Sequence, residues 1–266
     1  MTIPRRADYT LCSGSTLVDQ TPDASTNEIW NARDLLGRTL PSQDPVVEGY
    51  DISSHSIPRE GIGGDFYDFF SYTDGRFAIA FGETSGKGAK AAKFIVQLLT
   101  SLRSLGMQGI DPASAAEGLN SIIYSNTEPE QYAALFYGLL TSSSGLFRYC
   151  SCGHVPPRLV RKDKTVQELT SGGTVLGLFP NMEFELGEIL IEPGDCLTLF
   201  SDGVIESEGE TEGEFGERRL IEFVIQNSGK ASAQLTKELL AFVLRWRSRL
   251  YPADGLTVVM IRRHGL

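Results

Sequence analysis

Residues 61–92 read GIGGDFYDFFSYTDGRFAIAFGETSGKGAKAA, a stretch that sets the acidic side chains of Asp65, Asp68 and Glu83 beside clusters of glycine. Asp65 and Asp68 follow Gly63-Gly64. Phe77 to Phe81 is a short apolar run of strand formers, opened by the turn Asp74-Gly75. Glu83 stands at the end of that run, and Ser85-Gly86-Lys87-Gly88 leads into a predicted helix. Acids at strand ends beside flexible backbone suit a hard divalent cation, because oxygen ligands must converge and glycine lets the main chain approach closely. The same residues also read as two solvated turns joined by a hairpin.

Two nucleotide readings fail. Gly86-Lys87-Gly88-Ala89-Lys90-Ala91 fits the loose GxGxxA fingerprint, but the next apolar run, Ala133–Leu140, ends in Thr141-Ser142-Ser143-Ser144 with no acid to hold a ribose. The phosphate loop GxxxxGK[ST] is one residue too short between Gly82 and Lys87, and Gly88 stands where its hydroxyl belongs.

The chain has 266 residues, 41% hydrophobic and 22% charged, as in an ordinary globular protein. Its net charge of −10 argues against a nucleic-acid partner. No apolar stretch approaches the length of a membrane span, so no membrane is expected. Residues 1–18 lack the sustained apolar core of an export signal. Cys12, Cys150, Cys152 and Cys196 form no CxxC pair, and His55, His154 and His264 complete no zinc pattern. The cysteines are read as reduced, and the location as cytoplasmic.

Taken in order, residues 1–24 read as a mobile lead-in. Residues 25–41 form an amphipathic helix and linker: Ser25 to Glu28 is a capping box, and Ile29, Ala32, Leu36 and Leu40 recur at helical spacing. This helix either packs on the domain or serves as a dimerising (homodimer-forming) or signal-transmitting helix. Residues 42–266 form one domain. Val46–Ile52 reads as a strand, Ala89–Leu105 as a helix, and Pro112–Asn126 as a helix capped by Asp111. Strands are predicted at Ala133–Leu140, Phe147–Cys152, Arg158–Arg161, Val166–Leu169, Glu188–Ile191 and Cys196–Phe200. Glu206–Glu217, rich in glutamate and glycine, reads as a solvated loop. Helices at Arg218–Gln226 and Ser232–Arg249 and a strand at Leu256–Ile261 complete the chain.

Short strands with short turns argue for antiparallel sheets. The pattern is that of an α+β protein, an αββα four-layer sandwich whose two antiparallel sheets are each flanked by a helix pair. Asp65, Glu83, Asp202 and Asp254 each stand beside glycine or a turn, and such a fold can bring them to one end. Clustered carboxylates cannot all stay ionised without cations. Two metal ions acting on a phosphoryl group are a known use of such a site.

The chain resembles the PPM-type metal-dependent serine/threonine phosphatases, in their bacterial SpoIIE-like branch. The resemblance rests on GGDFYDFF (63–70), FGETSGKGAKAA (81–92), CGHVPPRLV (152–160), LGL (176–178), LFSDGVIES (199–207), EFGERRL (214–220) and DGLTVVMIR (254–262), in order and at plausible spacing. ARDLLGRTLP (32–41) is similar to the helix that precedes the core in this branch. The resemblance implies a binuclear Mn²⁺ or Mg²⁺ site, with hydrolysis of phosphoserine or phosphothreonine by a metal-bound water rather than a protein nucleophile. It implies a phosphorylated protein substrate, an anti-anti-sigma factor in partner-switching control of sigma factors. Carried over by position, Asp65, Glu83, Asp202 and Asp254 would be metal ligands, and Thr84 would offer its main-chain carbonyl. Gly64 and Asp68 would stand close behind them, and His154 would be a hydrogen-bonding residue of the GHxPP turn.

Two residues depart from the branch. Gly255 replaces the second aspartate of the closing motif. Glu83 stands where an aspartate is expected to bridge both ions. Its side chain is longer by about 1.5 Å, whereas metal–ligand distances tolerate only about ±0.2 Å. Either the backbone of 81–85 retreats, with Gly82 and Gly86 supplying the freedom, or Glu83 coordinates differently. The competing reading is a catalytically impaired pseudophosphatase that acts as a binding or scaffolding module.

Overall fold

The computed structural model describes residues 24–58, 62–247 and 254–265; the predicted lead-in and Cys12 lie outside them. The chain runs α1 (Ala24–Thr39), β1 (Tyr50–Ile57), β2 (Asp65–Ser71), β3 (Arg76–Thr84), α2 (Ala89–Gly106), α3 (Pro112–Asn126), β4 (Ala133–Thr141) and β5 (Leu146–Cys152). It continues through β6 (Arg158–Val160), β7 (Val166–Glu168), β8 (Gly172–Gly173), β9 (Gly187–Leu190) and β10 (Cys196–Phe200). The last elements are α4 (Asp202–Ile205), α5 (Gly216–Gln226), α6 (Ser232–Trp246) and β11 (Leu256–Arg263). One sheet has the order β1-β11-β10-β6-β7; the other has β2-β3-β4-β5-β8, with β9 also on β5.

Side-chain alternation along the strands builds three buried layers. Phe77, Ile79 and Phe81 of β3 meet Leu197 and Leu199 of β10 and Val259 and Ile261 of β11 between the sheets. Ala78 and Ala80, facing the other way, pack with Phe94, Ile95, Leu98 and Leu99 of α2. Phe200, Val258 and Met260 pack with Leu220, Leu235 and Leu239 of α5 and α6. The expected αββα sandwich is therefore present, with a parallel β5–β8 pair as one exception to antiparallel pairing. β3 and β4 are antiparallel neighbours although two helices separate them in sequence. That topology excludes the dinucleotide-binding reading, which needs a parallel βαβ unit.

Several elements differ from the sequence reading. The first strand begins at Tyr50 rather than Val46, because Gly49 adopts φ 82° and Tyr50 N donates to Val47 O in a turn. Pairing with β11 carries it on to Ile57 through a polar segment. β2, β8 and α4 were not anticipated. Glu28 pairs with Lys93 of α2 at 2.9 Å, and the side chain of Ser25, the other half of the expected capping box, lies outside the described residues. The Asp111 cap forms as expected, accepting from Ala113 N and Ser114 N. Cys150, Cys152 and Cys196 are free and buried.

α1 lies against α2. Ala32 and Leu36 cover Ala92, while Ile29, Trp30 and Leu35 remain exposed. Arg103 of α2 locks this corner: its Nε donates to Asp68 Oδ2 at 2.7 Å, and its guanidinium also donates to Asp68 Oδ1 and to Thr39 O. Asp68 is buried, so loss of its partner strands a charge. Arg103→Ala is expected to lower unfolding stability by about 2 kcal/mol, less than for a fully buried pair because Arg103 is half-exposed. Urea denaturation checks this, and an unchanged midpoint would contradict it.

Candidate metal centre

The inter-sheet layer changes character at one end. On β3 the inward positions run Phe77, Ile79, Phe81 and then Glu83. On β2 they run Phe69, Tyr67 and then Asp65, which is paired directly with Glu83. On the facing sheet β10 gives way to Ser201, and β11 opens with Thr257 at its inward position. Asp202 begins α4, and Asp254 immediately precedes the Gly255 turn into β11.

Ligand oxygens of Asp65, Glu83 and Asp254 lie within 4.8 Å of one another. Asp202 is outside that trio, but its charge is felt by both Asp65 and Glu83. Burial raises the Asp65 carboxyl to about 6, helped by Asp202 and Asp254 and opposed by a hydrogen bond from Thr257. Burial pushes Glu83 up to about 8, and Asp202, Asp65, Asp254 and Glu206 add to the rise. Burial also raises Asp202, opposed by the Gly203 amide. The largest influences on Asp65 and Glu83 among the described residues are burial, neighbouring carboxylates and, for Asp65, the hydroxyls of Thr257 and Ser201. An all-oxygen, acidic and half-buried donor set fits hard divalent cations such as Mg²⁺ or Mn²⁺.

The second sheet holds the first in place through hydroxyls. Thr257 Oγ1 donates to Asp65 Oδ2 at 2.9 Å. Ser201 Oγ donates to Gly255 O and accepts from Thr257 N. Three glycines let these segments meet. A Cβ on Gly64 would strike the Thr84 carbonyl, one on Gly203 the Gly255 carbonyl, and one on Gly255 would come within 2.7 Å of Asp65 Oδ2. The aspartate expected at 255 is thus replaced where the Asp65 carboxylate stands close.

Other site expectations need correction. Asp68 does not stand behind the cluster. It sits three positions from Asp65, so strand alternation turns it to the helix face and to Arg103. Gly82, Glu83 and Thr84 keep unbroken register with β4. Gly82 supplies close packing rather than freedom, since a Cβ there would strike the Ala134 carbonyl. His154 is buried, its ring is edge-on to Phe81, and its Nδ1–H donates to Val155 O at 2.8 Å. Burial lowers it to about 4, so it stays uncharged at neutral pH. Thr257, Ser201 and Glu206 were missed. Thr257 lies inside a recognised motif, while Glu206 is exposed at the end of α4, as the solvated-loop reading expects, and adds only its charge to the rise at Glu83.

The fold is that of PP2C-type phosphatase domains. The family profile described as Stage II sporulation protein E (SpoIIE) matches residues 73–264, and the chain belongs to that family. It is 30% identical over 240 residues to the phosphoserine phosphatase RsbU of Bacillus subtilis, covering 89% of this chain and 70% of that one. It is 27% identical to protein IcfG of Synechocystis, but spans only 36% of that protein's length. Among solved structures, the RsbU and RsbW domains of Rv1364c from Mycobacterium tuberculosis superpose with a TM-score of 0.68 at 29% identity, over 83% of this chain and 62% of that one. The SiaA-PP2C domain of Pseudomonas aeruginosa gives 0.72 at 18% identity, over 90% and 96%, a likeness of fold.

The raised carboxyls set a pH dependence. Their folded-state values exceed those of the unfolded chain, so folding takes up protons between about pH 4 and pH 8 and metal-free stability falls as pH rises through that window. Cations need the ionised form, so Mn²⁺ affinity rises over the same range. The expected result is a melting temperature that drops from pH 5.5 to 8.5 in chelator and is restored by Mn²⁺ most strongly at the alkaline end. A pH-independent Mn²⁺ affinity would contradict the cluster's electrostatics.

Proposed function

We propose that the chain hydrolyses phosphoserine or phosphothreonine on a regulatory protein, with two Mn²⁺ or Mg²⁺ ions held by Asp65, Glu83, Asp202, Asp254 and the Thr84 carbonyl. The observation that carries this reading is the trio of carboxylate oxygens within 4.8 Å, drawn from two sheets. The ions, when bound, supply Lewis acidity toward phosphoryl oxygens and an activated water. The chain's part is to fix the donors. Thr257 orients Asp65, Ser201 ties the Gly255 turn to β10, and Gly64 keeps the Thr84 carbonyl clear of side chains. His154 serves its turn and carries no catalytic proton.

The substrate class follows from the relatives. RsbU and RsbP of Bacillus subtilis are named phosphoserine phosphatases, and an RsbU domain shares a chain with an RsbW domain in the Mycobacterium tuberculosis structure. A phosphorylated anti-anti-sigma protein in partner-switching control is the substrate proposed. The setting is cytoplasmic; no helix among the described residues is long and apolar enough to cross a membrane. Residues 42–266 act as the phosphatase domain. α1 serves as a dimerising or relay helix through Trp30, which is 62% exposed, with Ile29 and Leu35. Deleting residues 1–41 is expected to halve the mass in solution if it dimerises.

Turnover of a phosphoserine peptide is expected with Mn²⁺ and absent in excess chelator. Asp202→Asn and Asp254→Asn are each expected to cut it by at least a hundredfold while leaving the thermal melt intact. Near-normal rates in either variant would remove that residue from the site.

The pseudophosphatase reading draws on one observation: Glu83, standing for the bridging aspartate, holds its proton up to about pH 8 without metal. Glu83→Asp separates the two readings. The expected outcome is an active wild type, stronger with Mn²⁺ than Mg²⁺, whose rate rises in Glu83→Asp. A silent wild type rescued by Glu83→Asp would establish the pseudophosphatase, and a lower rate in the variant would mean a site rebuilt around glutamate.

A further inference from the structure

At the same end of the β3–β4 ladder as Glu83, on the side of the sheet that α3 covers, the surface carries several large apolar side chains that the hydrolytic site does not use. Leu178 and Phe179 are 37% and 53% exposed on the segment after β8. Tyr132, just before β4, is 39% exposed, and Tyr124 on α3 is 47% exposed. Scattered exposed apolar residues are ordinary, but several gathered on neighbouring segments at one end of a sheet mark a candidate interaction surface.

Backbone pairing fixes the group's position relative to the site. Thr84, the neighbour of Glu83, pairs with Ala133 in the β3–β4 ladder. Ala133 in turn exchanges both backbone hydrogen bonds with Leu176. The segment that ends in Leu178 and Phe179 is therefore the next strand-like neighbour beyond the β3 end that bears Glu83. Tyr132 is held to the same edge: its N–H donates to Ser85 Oγ, and its carbonyl accepts from Ser85 N.

The segment is rigidly held. Asn120 of α3 is fully buried and spends its whole amide on this loop, donating from Nδ2 to Phe179 O and accepting at Oδ1 from Gly177 N. Gly177 adopts φ 93° and lies so close to α3 that a Cβ would strike Ile123. On the far side, Phe184 is buried and Met182 packs against the α2–α3 core. A loop pinned on both flanks could turn its two apolar tips inward, yet Leu178 and Phe179 point to solvent. Aromatic and aliphatic side chains presented on a rigid backbone are the usual anchors of protein interfaces, because little side-chain freedom is lost on binding.

We propose that Leu178, Phe179, Tyr132 and Tyr124 form a docking surface for the folded body of the phosphoprotein substrate, beside the phosphoserine that enters the acidic cluster. The inference rests on the phosphatase reading for the identity of its occupant. Continuity with the Glu83 edge selects that occupant over a second copy of the chain. The −10 net charge and the acidic cluster give little attraction to a phosphoprotein, so apolar contact next to the cleft supplies the affinity that charge does not. A small phosphoester reaches the acids without touching this surface.

The test compares a phosphorylated anti-anti-sigma domain, a short phosphoserine peptide cut from it, and para-nitrophenyl phosphate, all with Mn²⁺. Leu178→Ser/Phe179→Ser is expected to lower kcat/KM on the folded phosphoprotein at least tenfold, mostly through KM, and to leave para-nitrophenyl phosphate within twofold. A thermal melt confirms that the double variant is folded. Equal losses on all three substrates, or no loss on the phosphoprotein, would overturn the proposal. If the wild type hydrolyses none of them, the phosphatase reading fails separately. Calorimetric binding of the same phosphoprotein then tests the surface: loss of binding in the double variant upholds it, and unchanged or absent binding overturns it. Binding of the double variant's wild-type parent to itself, seen as a concentration-dependent mass abolished by the substitutions, would assign the surface to a second copy and contradict the proposal.

Discussion

The structure depends on forcing like charges from two sheets into one small space. Asp65 and Glu83 come from one sheet, and Asp202 and Asp254 from the end of the other. Their mutual repulsion and burial hold protons on Asp65 and Glu83 that would otherwise be lost well below neutral pH. A hydroxyl bond from Thr257 to Asp65 crosses between the sheets at this point. The apolar layers must supply what the cluster costs. The inter-sheet layer is apolar from Phe77 to Phe81 and from Leu197 to Leu199, and it turns polar in one step where Glu83 and Ser201 take over.

That step explains the glycines around the site. Gly64, Gly203 and Gly255 each meet a backbone or carboxylate oxygen from another segment, where any side chain would collide. They bring the loops of both sheets to the closeness that convergent oxygen ligands require. On the opposite face of β2, Asp68 and Arg103 fasten the same strand to α2 and, through Thr39 O, to the end of α1. The strand that begins with Asp65 is thus held from both of its faces.

Much of this was legible in the sequence, for physical reasons that vary by element. α3 was placed correctly because Asp111-Pro112 is a strong local start signal. β10 and β4 were placed because buried strands are continuous apolar runs. β1 was misplaced because its polar second half, His55 included, is a strand only through pairing with β11, a contact 200 residues away in sequence. The four acids were found from motif resemblance and their turn positions. Asp68 was misassigned because proximity in sequence was read without strand parity. Glu206 was missed because it lies in an exposed, charged segment, and only the fold shows that its charge reaches Glu83.

The central claim is that these acids from two sheets form one cation site. Crystals grown with Mn²⁺ and measured at the manganese absorption edge test it most directly. The account predicts anomalous density between Asp65, Glu83 and Asp254, with Asp202 drawn in to complete the site. Manganese found only elsewhere on the surface, with the four carboxylates left uncoordinated at pH 8.5, would contradict it.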